Sequence, residues 1–156
     1  MPLNEQGEKL TKKRNKVVID TNVLVSAFIF GGIPGKAVKK VFTEANIYVS
    51  PELLNEYRDV PLALESEGKI NRIQLKALIS GIAAFVAKAK IVQPEKKIFV
   101  CRDIEDNVLL ECCIEANANI LITGDKDLLS MKNLPYSFKI LTPRKFIENS
   151  ETKKDT

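Results

Sequence analysis

Polar and apolar positions in this chain follow two patterns. Val17-Val18-Ile19 and Ile120-Leu121-Ile122 are short continuous aliphatic runs, followed closely by Asp20 and Asp125. Such runs suit strands buried on both faces of a parallel sheet. Elsewhere apolar residues recur three and four apart, as on one face of a helix. That spacing predicts helices over Thr21 to Phe30, over Lys36 to Ala45 with Ala37, Val38, Val41 and Phe42 inward, and over Arg72 to Lys88. In the last of these Ile73, Leu75, Leu78, Ile79, Ile82 and Phe85 form the inward stripe. Gly31 to Gly35 predicts a break between the first two helices.

Ser50-Pro51 predicts another helix start, with Ser as cap, Pro in the first turn, and Leu53, Leu54 and Tyr57 inward. Pro61 predicts the start of a separate helix. Extended pieces are expected at Ile47 to Val49, Ile91-Val92, Ile98 to Val100, Ile120 to Thr123 and Phe138 to Leu141. Helices are expected from Asp103 to about Asn117 and from Asp125 to Met131, with one helical turn after Pro143. Strands alternating with helices predict a single α/β domain, a central parallel sheet with helices on both faces. Residues 1–15 form a basic segment, with Lys12, Lys13 and Arg14, that is expected to be flexible. The polar tail 148–156 is expected to fray.

Composition narrows the chemistry. The 156 residues contain no histidine, which removes imidazole bases, His triads and His zinc sites, and leaves carboxylates, Lys, Tyr, Ser and Cys. Cys101, Cys112 and Cys113 lack metal-type spacing and read as reduced thiols. The N-terminal stretch has no signal-peptide core and no apolar run is long enough to span a bilayer, so a cytoplasmic protein without a membrane partner is expected. A net charge of +4 decides little by itself.

In a parallel sheet, Asp20 and Asp125 would project to the edge where open α/β folds bind ligands. Asp106, at the start of a helix, and Glu56, just over a turn into another, would join them. Taken singly, each aspartate reads first as a helix cap, and Glu56 could be an ordinary surface residue. Four carboxylates on one edge without histidine suggest Mg²⁺ or Mn²⁺ on hard oxygen ligands, able to activate water against a phosphodiester.

Three segments, Val17 to Ala27, Cys101-Arg102-Asp103-Ile104-Glu105-Asp106-Asn107 and Ile122-Thr123-Gly124-Asp125-Lys126-Asp127-Leu128-Leu129, closely resemble the PIN-domain family in order and spacing over residues 16–147. The branch most resembled is the toxin component of toxin–antitoxin pairs. The resemblance implies a metal-dependent ribonuclease with a PIN-like fold. It puts Asp20, Glu56, Asp106 and Asp125 in the catalytic and metal-binding set, with Asn22, Asp103, Thr123 and Asp127 supporting them. It also implies RNA as substrate, an antitoxin protein as partner and a homodimer. Lys36, Lys39, Lys40, Arg58, Arg102 and Lys126 are the candidate RNA-binding cations. Two points depart from the family pattern. Glu52 lies one turn before Glu56 and competes for its place, and Ile104 stands where related sequences often carry Pro.

Other readings fit less well. Gly31 to Lys36 lacks the Gly and the Ser or Thr of a phosphate loop, since Phe30 and Ala37 occupy those positions. A haloacid-dehalogenase-type phosphatase needs a second Asp where Asn22 stands, and a phospho-receiver's acids and lysine are only scattered here. A housekeeping RNA-processing nuclease and a catalytically silent PIN-like binding module remain the alternatives.

Overall fold

The computed structural model describes residues 13–132 and 134–154. Strands β1 (Lys16–Ile19), β2 (Asn46–Val49), β3 (Lys90–Ile91), β4 (Ile120–Ile122) and β5 (Lys139–Leu141) form one sheet in the order β3-β2-β1-β4-β5, every neighbouring pair parallel. The helices are α1 (Thr21–Phe30), α2 (Gly32–Glu44), α3 (Pro51–Ser66), α4 (Arg72–Ala87), α5 (Ile104–Ala116), α6 (Lys126–Leu129) and α7 (Pro143–Lys154). Val17, Val18 and Ile19 are all fully buried. Successive strand side chains point to opposite faces, so both faces of the sheet are covered.

The chain steps outward from β1 through β2 to β3, then returns through α5 to put β4 on the other flank of β1. The strand order therefore reverses between β1 and β4, and the carboxyl ends of these two strands border the crevice where open α/β sheets bind ligands. Their register pairs Ile19 with Ile122, which sets Asp20 beside Thr123.

Several expectations need correction. The break between α1 and α2 is one residue, Gly31 at φ 72°, whose amide donates to the carbonyls of Ser26 and Ala27. Pro34 and Gly35 belong to α2, because a first-turn proline forfeits no intrahelical bond. No new helix begins at Pro61. Helix α3 runs through it, since Leu53, Tyr57 and Pro61 recur every fourth residue on one buried face that holds the helix together across the missing bond. The inward stripe of α4 is narrower than expected: Leu78, Ile82 and Phe85 are buried, whereas Ile73 is 80% exposed. This helix packs on α1 and α3 along a limited arc, which leaves Ile73 and Ile79 outside.

Ile98 to Val100 are not a strand, and Phe99 and Val100 are exposed. The irregular segment 92–103 instead lies along α5. The Glu95 amide donates to Glu115 Oε1 at 3.0 Å, and Lys97 pairs with the buried Glu111 at 3.8 Å. Helix α7 is no single turn: Thr142 Oγ1 accepts from the Lys145 amide, Phe146 is buried, and the helix continues through the expected frayed tail to Lys154. Residues 1–12 of the basic segment, like 155–156 of the tail, lie outside the described residues. The three cysteines are free, with Cys112 and Cys113 buried. No single described helix is long and apolar enough to cross a membrane.

Gly81 on α4 is fixed by close approach. A Cβ there would lie 2.5 Å from Phe28 Cδ1 and 2.6 Å from Cγ. Gly81→Ala gains helix propensity but forces the ring aside, so it is expected to destabilise by about 1–3 kcal/mol in urea unfolding. A stabilised variant would contradict this packing.

Candidate metal centre

Hydrogen bonds knit the ends of β1 and β4 together. Thr123 Oγ1 donates to Asp20 Oδ2 at 2.7 Å, and the Asp125 amide donates to Thr123 Oγ1 at 3.0 Å. The Asp127 amide continues the run to Asp125 Oδ1 at 2.8 Å. Asp20 and Asp125 also cap α1 and α6, so capping and site placement coincide in the same side chains. Asp106 is not a cap. Asp103 takes that post by accepting the Glu105 amide at 3.0 Å, and Asp106 sits in the first turn of α5 behind it.

Carboxylate oxygens of Asp106, Asp125 and Asp127 all lie within 4.8 Å of one another. Asp127 thus belongs to the cluster itself. Asp20 lies beside it, near enough for the Asp125 charge to act on it. The Tyr57 hydroxyl donates to the Ile19 carbonyl at 2.6 Å, pinning α3 to the end of β1. That places Glu56 beside the site, where Thr21 Oγ1 donates to Glu56 Oε2 at 3.3 Å. Glu52 is within electrostatic reach of Cys112, and its Oε2 is buried without a hydrogen-bond partner among the described residues.

Crowding raises the proton affinity of these acids. Burial, then the charge of Asp125 and that of Asp103, push Asp106 up to about 7. Burial, then Glu105, push Glu56 up to about 7, against the hydrogen bond from Thr21. Burial also raises Asp20, with the bonds from Thr123 and Asn22 acting in the opposite direction. Like charges held this closely favour a shared proton or a cation between them. The donors are carboxylate oxygens, and burial together with Asp106 keeps the neighbouring Cys101 thiol protonated. This set fits a hard divalent ion.

Asn22 acts on Asp20 through its backbone amide, at 3.4 Å, while its side chain is exposed. Among the six cations, Arg102 contacts the acids, and Lys126 stands between Asp125 and Asp127 in sequence with its side chain exposed. Arg102 Nη2 contacts both oxygens of Asp127, at 2.9 and 3.0 Å. The others are placed differently: Lys39 lines an apolar groove between α1, α2 and α4, Lys40 pairs with Glu44, Arg58 pairs with Asp59, and Lys36 is exposed on α2. Glu105, Thr21 and Tyr57 are site residues that the sequence reading did not single out. Glu105 acts on Glu56; Glu105 and Thr21 both lie within segments that resemble the PIN-domain family, and Tyr57 carries only the signal of an inward-facing helix position.

A parallel α/β domain whose strand-order reversal holds a cluster of carboxylates is the class defined so far. The sequence pattern of the PIN domain matches residues 16–127, and the chain belongs to the PIN-domain family. It is 40% identical to the uncharacterized protein MJ1680 of Methanocaldococcus jannaschii, over 92% of this chain and 97% of that one. Two solved structures share the fold at 14% identity. VapBC2 from Rickettsia felis, bound to a DNA fragment from their promoter, covers 81% of this chain and 98% of its own with a TM-score of 0.54. PAE2754 from Pyrobaculum aerophilum covers 88% and 90% with a TM-score of 0.56.

Proposed function

We propose that this protein is a metal-dependent endoribonuclease and the toxin component of a toxin–antitoxin pair. The observation that carries the nuclease reading is the convergence of Asp106, Asp125 and Asp127 beside Asp20 at the strand-order reversal. Asp106 and Asp125, with Asp127 and Asp20, would hold Mg²⁺ or Mn²⁺, which when bound lowers the pKa of water and offsets charge on the scissile phosphate. Thr123 fixes Asp20, and the Asp127 amide fixes Asp125, so the acids are oriented before substrate arrives. In a chain without histidine, Glu56, pushed up to about 7 and outside the three-acid cluster that includes Asp106, is suited to accept a proton at neutral pH. The VapBC2 neighbour supports a protein antitoxin as partner. The family resemblance supports a homodimer.

The test is metal-dependent stability with cleavage measured alongside. Mn²⁺ or Mg²⁺ is expected to raise the melting temperature of the wild type, and much less that of Asp20→Asn. No shift in either protein would favour a silent binding module. Growth arrest on expression, relieved by co-expression of a neighbouring small gene, separates a toxin from a housekeeping nuclease.

A further inference from the structure

The ion pair between Arg102 and Asp127 occupies one member of the carboxylate cluster. Both Asp127 oxygens accept from Arg102 Nη2, and Asp127 is also one of the three acids that lie within 4.8 Å of each other. An exposed pair of this kind is worth only about 0–1 kcal/mol, and the Arg102 side chain is 87% exposed. A divalent ion held by several carboxylates is a stronger competitor for the same oxygens.

The backbone on either side of Arg102 is tied down. The Cys101 amide donates to Asn107 Oδ1 at 3.0 Å, the Asn107 side-chain amide returns a bond to the Cys101 carbonyl at 3.5 Å, and Asp103 caps α5. The guanidinium is therefore the part free to move, over an open crevice of about 770 Å³ lined by Arg102, Asp103, Ile104, Glu105 and Asp127. A guanidinium at such a mouth matches a phosphate in bidentate geometry.

We propose that Arg102 is a positioning residue that exchanges partners, held by Asp127 before the divalent ion binds and transferred to a phosphate of the RNA strand once the ion takes Asp127. This rests on the metal-dependent nuclease reading. The exchange makes the effect of Arg102 on metal binding depend on Asp127, and its effect on RNA binding depend on the ion, which a passive surface cation would not do.

A double-mutant cycle on metal affinity tests it without turnover. Mn²⁺ binding is measured by titration calorimetry on wild type, Arg102→Gln, Asp127→Asn and the double variant. Arg102→Gln is expected to tighten Mn²⁺ by up to about fivefold in the wild-type background and to change nothing when Asp127 is already Asn. Equal tightening in both backgrounds would show a diffuse charge effect and overturn the exchange. In a second arm, binding of a single-stranded RNA oligonucleotide with Ca²⁺ present is expected to weaken about tenfold in Arg102→Gln, and to change little with chelator present. Equal weakening with and without Ca²⁺ would also overturn it. Failure of the wild type to bind Mn²⁺ would remove the metal-site reading itself, so the two failures are told apart.

Discussion

Asp125→Asn is expected to lower Mg²⁺-dependent cleavage of single-stranded RNA by at least about a hundredfold while the fold survives. The amide oxygen of Asn can still accept the Asp127 amide now bound by Asp125 Oδ1, so the cap of α6 is kept and only the charge is lost. Asp20→Asn is expected to be equally inactive but less clean. Asp20 accepts from the Thr123 hydroxyl on one oxygen and from the Asn22 amide on the other, and a carboxamide offers a single acceptor. One donor would then face an NH₂ group, at about 1–3 kcal/mol. Initial rates on purified proteins, with melting curves run in parallel, check both variants. Undiminished cleavage by Asp125→Asn, with contaminating nuclease excluded, would sink the assignment.

Without metal, the protein is expected to become less stable as pH rises from acid to neutral, the reverse of ordinary acid denaturation. Folding raises Glu56 from 4.5 to about 7 and Asp106 from 3.8 to about 7. A carboxyl whose affinity for protons is higher in the fold contributes stability in full below its unfolded pKa. That stability is lost as pH climbs through the folded value near 7. A divalent ion replaces the protons and cancels the repulsion, so excess Mg²⁺ is expected to flatten the decline most at the upper end of the range. Melting temperatures from about pH 5 to pH 8, with chelator and with Mg²⁺, give the comparison, and Glu56→Gln is expected to remove its own share of the slope. A melting temperature with chelator that stays level or rises over this interval would contradict the crowding of these acids.

Much of this architecture could be read from the chain, because the same residues carry signals at several levels. The aliphatic runs at Val17 and Ile120 are buried on both sides, so their composition announced parallel strands directly, and the aspartates that follow are both caps and members of the candidate site. What was not legible depends on partners distant in sequence. Pro61 reads locally as a helix start, yet burial of its face against the core carries α3 through it. Ile98 to Val100 reads as a strand, but the segment runs along α5, tied there by Glu111 and Glu115. The place of Asp127 within the carboxylate cluster, and of Glu56 against Thr21, depends on helix orientations that no local pattern encodes.

The bond from Tyr57 to the Ile19 carbonyl joins the residue after Glu56 to the residue before Asp20. The backbone segments that carry those two acids are therefore tied together through a buried bond, and they form the firmer wall of the crevice. The opposite wall, with exposed Asp127 on the four-residue α6 and exposed Arg102 on an irregular segment, can yield by local fluctuation alone. If the crevice works as the proposed nuclease site, strand entry and release would fall to the yielding side, with the geometry of Asp20 and Glu56 left undisturbed.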